Sequence, residues 1–393
     1  MEDPVIVDLP NTTTAEVSKK LVRLRDDVGA MALSRVLTLV VAVDETDVEA
    51  AVETANLASH QHPCRIVVVA AGNRRGTARL DAQIRVGGDA GASEVVVMRL
   101  YGALTGHGRS VVTPLLLADS PIVAWWPTWV PPDPSKDPIG EMASRRITDL
   151  AASTSKPKPA LRRLAASYTP GDTDLAWTRI TLWRGLLAAA LDQAPYEPVT
   201  AVTVTGAPDS ASVDLLGAWL GGRLRCPVTL ARSRSGTGLI GVRLVRRSGD
   251  VDLVRPPDGN VATLSQVGQP ERTLSLPHRS DAECLADELR RLDPDEVYAD
   301  ALVRGMQRVT QPRTLTASKA VARGDAPSPK EAEQDIKRLH RAAARVSRAA
   351  MESRPEPAAP PSDPDEVKAE TRRRLAPDGA TTTSSRRRRK GPS

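Results

Sequence analysis

Hydrophobic positions along the chain switch repeatedly between a helical and a strand period. Thr13 and Glu16 form a T-x-x-E capping box, and Val17, Leu21, Leu24, Val28 and Met31 follow on one helical stripe. "VLTLVVAV" (36–43) is a β-branched run that predicts a buried strand. Thr46 and Glu49 repeat the capping box and predict a helix to about Ser59; "CRIVVVA" (64–70) predicts a second buried strand. Strand-like pieces at 82–87 and 94–98 and a helix at 109–118 precede the strand "PIVAWW". This alternation predicts an α/β domain over 5–150.

Residues 151–173 mix Ser, Lys and Pro and read as a connecting segment. A strong helix is expected at 174–191, then a strand "VTAVTVTG" (199–206), a helix "SVDLLGAWLGGRL" capped by Asp209 or Ser210, and a strand "CPVTLA". Alternating positions with turn signals from 238 to 276 predict an antiparallel meander, and helices at 280–291 and 294–304 close a second α/β domain over 174–304. A strand, a capped helix and a Cys-led strand occur at 36–70 and again at 199–231, which suggests a shared supersecondary unit. From 305 the composition turns to Pro, Ala, Ser, Thr and charge, as in a segment that buries too little surface to fold. One helix at 329–351 is expected there, with Ile336, Leu339, Ala343, Val346 and Ala350 on one face. The expected fold class is therefore α/β: two domains with mixed sheets, plus a largely disordered tail over 305–393.

Composition narrows the function classes. With no Phe and 3% aromatic residues, the cores must be built from Val, Leu, Ile and Ala. The most apolar stretch, 111–126, is broken by Pro114, Asp119 and Pro121, so no membrane span is expected. The acidic opening "MEDPVIVDLP" lacks a signal-like apolar run. Three cysteines with no C-x-x-C point away from a disulfide framework and towards the cytoplasm. The pI near 9.4 is not a property of the whole chain. Residues 304–393 carry 21 Lys and Arg against 11 Asp and Glu, and the remaining 303 residues carry 33 against 37. The folded body is mildly acidic, so nucleic-acid binding is not expected of it and is a candidate only for the tail.

Motif chemistry is sparse. "GTGLIG" (236–241) matches G-x-G-x-x-G but precedes an alternating strand rather than opening a helix, so a glycine turn is the preferred reading. His60, His62 and Cys64 lack a fourth ligand in a paired motif and sit at an expected helix C-terminus; they are read as structural, with a metal- or nucleotide-dependent enzyme using them as the third alternative. No phosphate loop, nucleophile elbow or activated cysteine is present, so no catalytic, cofactor or metal residue is assigned. The carboxylate pairs Asp26–Asp27 and Asp287–Glu288 are expected on solvated faces.

One stretch stands out. "SPIVAWWPTWVPPDP" (120–134) holds three of the six Trp. Strand alternation places Trp125 and Trp126 on opposite faces and leaves Trp129 beyond Pro127 in the loop. "RRITD" (145–149) follows, and its charges could bind an anion, cross an interface or pair internally. Large aromatics with Arg nearby are the usual anchors of protein interfaces. The candidate partner-binding set is Trp125, Trp126, Trp129, Arg145, Arg146, Asp149 and Arg184.

The ordered set "IVDLPNTT", "HPCRIVVV", "PIVAWWP", "RRITDLAAS", "GDTDLAWTRITLWRGLLAAAL" and "LRRLDPDEVYADAL" resembles the actinobacterial OpcA family of glucose-6-phosphate dehydrogenase assembly proteins over about residues 5–303. The resemblance implies a non-enzymatic partner that promotes assembly or activation of glucose-6-phosphate dehydrogenase, the NADPH-producing entry to the oxidative pentose phosphate pathway. It carries no catalytic residue; the positions it singles out are Trp125, Trp126, Pro127, Arg145, Arg146, Asp149, Arg179, Trp183 and Arg184. Cyanobacterial members are associated with thiol-dependent control, but Cys64, Cys226 and Cys284 form no paired motif here. The alternative function is a nucleic-acid or polyanion-binding protein acting through the basic tail.

Overall fold

The computed structural model describes residues 5–28, 36–86, 94–153 and 156–310. The basic tail beyond 310 and the helix expected at 329–351 lie outside the described residues, as do the side chains of Asp26 and Asp27.

The first sheet has eight strands: β1 (Val5–Leu9), β2 (Leu37–Asp44), β3 (Cys64–Ala71), β4 (Arg79–Val86), β5 (Glu94–Tyr101), β6 (Ile122–Trp126), β7 (Arg145–Thr148) and β8 (Asp172–Asp174). Their order is β1-β4-β5-β3-β2-β6-β7-β8, with β1, β4 and β5 paired antiparallel and the run from β5 to β8 parallel. Helix α1 (Thr14–Val28) and the short α3 (Gly108–Val112) cover one face; α2 (Val48–Ser59) covers the other. Counted along the chain, the six parallel strands stand in the doubly wound order 3-2-1-4-5-6. The winding reverses at β2: α2 leads to β3 on one side, and α3 leads from β5 back to β6 on the other. The two buried-strand runs expected from β-branched composition are the centre of this sheet, with Leu39, Val41, Ile66 and Val68 fully buried.

The second sheet has order β14-β13-β12-β11-β9-β10-β15, from β9 (Val199–Gly206), β10 (Val228–Arg232), β11 (Leu239–Arg246), β12 (Val251–Val254), β13 (Val261–Gln266), β14 (Arg272–Ser275) and β15 (Val309–Thr310). Strands β11 to β14 are the antiparallel meander. Helices α4 (Pro157–Ser167), α5 (Leu175–Thr178), α6 (Thr181–Leu191) and α7 (Ala211–Leu224) contribute to its core. The internal echo has a structural basis: β2–α2–β3 and β9–α7–β10 are both parallel βαβ units.

Several local expectations change. Thr13 and Glu16 do form the reciprocal capping box. Thr46 and Glu49 do not, because a 3-10 turn over Glu45–Asp47 intervenes and α2 starts at Val48. The helix expected at 109–118 stops at Val112, continued by one 3-10 turn holding Pro114, since proline lacks the amide that an α-helix needs there. The helix expected at 174–191 is two helices, preceded by a strand, β8, written "DTD". Helix α8 (Asp281–Arg290) does not close the second sheet. It buries Cys284, Leu285 and Leu289 among residues of α2 and the first sheet. The helix expected at 294–304 is a single turn, α9 (Glu296–Ala299), followed by a π-turn.

Candidate functional site

Strand β6 lies between β2 and β7, so its side chains alternate between two buried layers. Trp125 packs in the layer shared with α2 and α8, and Trp126 in the layer shared with α1 and α3. Both are fully buried, and neither indole N–H finds an acceptor among the described residues. Trp129 is 36% exposed and stands edge-on to Trp126, ring centroids 6.3 Å apart and planes at 72°. The loop after it is held by two aspartates. Asp133 accepts from the amide and hydroxyl of Ser135, and Asp137 accepts from the amides of Ile139 and Gly140. A Cβ at Gly140 would fall 1.8 Å from the Pro134 carbonyl oxygen, so only glycine fits.

The loops after β2, β3, β5 and β6 converge on a crevice of about 300 Å³ at the carboxyl ends of the parallel strands. Asp44, Arg74, Thr105 and Asp137 supply its polar groups, and Trp126 and Trp129 one wall. This is the reversal point of the doubly wound sheet, where such folds receive ligands and partners. Burial raises the Asp137 carboxyl above the usual carboxylate range, against the pull of the two amides.

Arg145, Arg146 and Asp149 turn inward. Arg145 pairs with Glu288 of α8 and donates to the Asp293 carbonyl. Glu288 also accepts from the Thr178 hydroxyl at 2.6 Å, and burial pushes its carboxyl up against the pull of Arg145. Arg146 pairs with Asp172 and donates to the carbonyls of Ala143 and Pro170. Asp149 receives Arg179 through two bonds of 2.7 and 2.6 Å, and Arg179 reaches Asp281 as well. Asp174, wholly buried, accepts from Thr148 and from the amides of Leu150 and Ala176. Burial first, and then the charge of Asp149, raise its carboxyl to about 7. The network ties β7 and β8 to α5 and α8. Trp125, Trp126, Arg145, Arg146 and Asp149 are therefore framework beneath the loop, not surface groups.

Arg184 of α6 is half-buried. Its guanidinium lies 3.6 Å from the centre of the Trp177 ring, whose indole N–H donates to Asp295. Burial lowers its pKa to about 10. The exposed Leu182 is two residues away.

Glu288 was expected on a solvated face and is instead the buried counter-ion of Arg145, while Asp287 pairs with Arg279. Residues Asp172, Asp174 and Glu288 were missed as members of the network. The only signal was the run of acids in "GDTD", whose side-chain partners, Arg146 for Asp172 and Thr148 for Asp174, lie in a separate segment. "GTGLIG" is a turn into β11, with Gly236 and Gly238 at positive φ. Cys64 is buried in β3, and among the described residues no three His, Cys, Asp or Glu side chains are placed to share a metal ion. No helix among the described residues is long and apolar enough to cross a membrane.

The family described as glucose-6-phosphate dehydrogenase subunit, N-terminal domain, matches residues 55–166, and its C-terminal domain matches residues 170–302. No curated protein matches significantly. Among solved structures, an oxidoreductase from Sinorhizobium meliloti is 11% identical over 74% of this chain and 99% of its own, with a TM-score of 0.37. The two family matches follow one another in order and take in most of both sheets. The chain belongs to the OpcA family of glucose-6-phosphate dehydrogenase assembly proteins.

Proposed function

We propose that the chain is a non-catalytic assembly factor and allosteric activator of glucose-6-phosphate dehydrogenase, acting by protein–protein binding in the cytoplasm. The observation that carries this reading is the pair of consecutive family matches to a dehydrogenase subunit over 55–302. The geometry adds an anchor. Trp129 is a large aromatic presented at the rim of a crevice, on a loop hydrogen-bonded through Asp133 and Asp137, and large aromatics are common binding hot spots. Arg184, stacked on Trp177, is a second anchor candidate, and the buried Arg145, Arg146 and Asp149 hold the frame.

Activation follows from differential affinity. A partner that binds the active oligomer tenfold more tightly than the dissociated form shifts that equilibrium by about 1.4 kcal/mol, and one that binds both equally shifts nothing. Co-purification tests the binding: the tagged chain should retain dehydrogenase from the same organism through washing, and an empty eluate contradicts the reading.

The charge of residues 304–393 favours a second activity, polyanion binding by the tail. Residues 305–310 belong to the second sheet and its core, with β15 paired to β10, so the deletion that separates the two begins at 311: without residues 311–393 activation should survive and polyanion binding should not.

A further inference from the structure

A second, smaller cavity of about 190 Å³ opens at the carboxyl end of β9, where the chain turns into α7. Arg179, Arg255, His278, Arg279, Ser210 and Ser212 supply its polar wall, and none of the described residues lining it is acidic. Gly206 lets the segments close around it: a Cβ there would fall 2.4 Å from Val213 and 2.6 Å from the Gly238 carbonyl oxygen. Ser210 is the N-cap of α7, yet its side chain makes no cap bond. Its carbonyl accepts from the Val213 amide at 3.2 Å, so the amides of Ala211 and Ser212 are the ones left without a side-chain cap.

Arg255 is the independent observation. It is 5% exposed. The other buried arginines each face a carboxylate: Arg65 with Glu94, Arg145 with Glu288, Arg146 with Asp172, Arg243 with Asp252 and Arg246 with Glu197. Arg255 makes no ion pair among the described residues. It donates to the carbonyls of Leu276 and Pro277 and lies 3.4 Å from His278 Nδ1, and its Nε has no acceptor. Burial, unrelieved by a neighbouring acid, lowers its pKa to about 10. A buried cation without a counter-ion is costly, and a helix N-terminus beside it favours an anion. Arg179 and Arg279 line the same cavity with their own charges directed to Asp149, Asp281 and Asp287.

We propose that this cavity binds a phosphate group, free or as the terminal group of a small phosphorylated metabolite, with Arg255 as its buried counter-ion and the first turn of α7 as its amide cradle. The volume is too small for a dinucleotide. Because Arg179 belongs to both the cavity and the clasp on Asp149, a bound phosphate competes for the guanidinium that ties β7 to α8. The site thus offers a route from a small anion to the framework beneath the Trp129 loop.

Calorimetric titration of the full chain with inorganic phosphate and with a hexose monophosphate tests the proposal without the dehydrogenase, so its outcome is independent of the assembly function. Saturable binding is expected for at least one. Equal affinities identify free phosphate as sufficient, and tenfold tighter hexose monophosphate identifies the metabolite. Arg255→Met should weaken binding at least tenfold. Ser210→Asp places a favoured N-cap residue at α7, so it keeps the fold while putting a negative charge in the cradle, and it should abolish binding. Should Arg255→Met fail to fold, Ser210→Asp decides. Absence of binding by the wild-type chain overturns the proposal, and so does undiminished binding by Ser210→Asp, which would place the anion elsewhere, such as the basic tail.

Discussion

Trp126 and Trp129 meet edge to face, ring centroids 6.3 Å apart, with Trp126 fully buried and Trp129 open to solvent. The contact couples a core residue of β6 to the rim of the crevice, so the exposed ring is positioned by the sheet beneath it. Trp125, the neighbour in sequence, faces the opposite layer. One strand thus assigns three tryptophans to three different environments.

The first prediction separates these roles. Trp129→Ala should weaken dehydrogenase binding by about 2 kcal/mol, roughly 30-fold, as truncation of an aromatic hot spot does, and leave the melting temperature close to wild type. Trp125→Ala and Trp126→Ala should instead lower stability by about 3–5 kcal/mol in denaturant titrations. Normal binding by a folded Trp129→Ala protein removes the loop from the interface.

Arg145 and Glu288 give a second prediction. Arg145→Met leaves Glu288 buried with only Thr178 as a partner and should cost about 3–5 kcal/mol in urea unfolding. Arg145→Met with Glu288→Met removes both charges and should recover part of that loss. Equal losses in the single and double variants would mean that packing, not the uncompensated carboxylate, sets the cost.

The pH dependence tests Asp174. Its folded carboxyl titrates near 7, above the unfolded value near 3.9, so the native state holds the proton more tightly. This group's contribution to stability is greatest below the unfolded value, falls as pH rises through the window up to about 7, and is flat above it. The slope is at most about 1.4 kcal/mol per pH unit. Asp174→Asn should flatten the stability profile between pH 4 and 7 relative to wild type. Profiles that run parallel would show that Asp174 does not titrate in that window.

Thiol reactivity is the fourth prediction. Burial pushes the Cys284 thiol up to about 12 and raises Cys226 as well, and Cys64 is fully buried. Since the thiolate is the reactive form, a thiol-specific disulfide reagent at pH 8 should reach at most Cys226 in the native protein and all three cysteines in denaturant. Rapid native labelling of two or more cysteines contradicts this.

Much of the fold was legible because it rests on local periodicity. The β-branched runs at 36–43 and 64–70, the T-x-x-E box at Thr13 and the meander after 238 each carry their signal within a few residues. What escaped is long-range. β8 reads "DTD" and has no strand-like composition; it forms because Arg146 and Thr148 of β7 satisfy its acids. The helix expected at 174–191 breaks around Arg179, whose guanidinium is drawn to Asp149 and Asp281. Glu288 looked solvated because its partner lies 143 residues away. The tryptophan alternation was readable from strand geometry alone. The uncompensated charge of Arg255 was not, because a counter-ion is missing only once all neighbours are known.

The most direct test of the assembly function is titration of the purified chain into purified glucose-6-phosphate dehydrogenase from the same organism, with activity and sedimentation followed together. The expected result is a saturable rise in activity that tracks a shift to a larger species. Unchanged activity and unchanged sedimentation at micromolar concentrations of both proteins would contradict it.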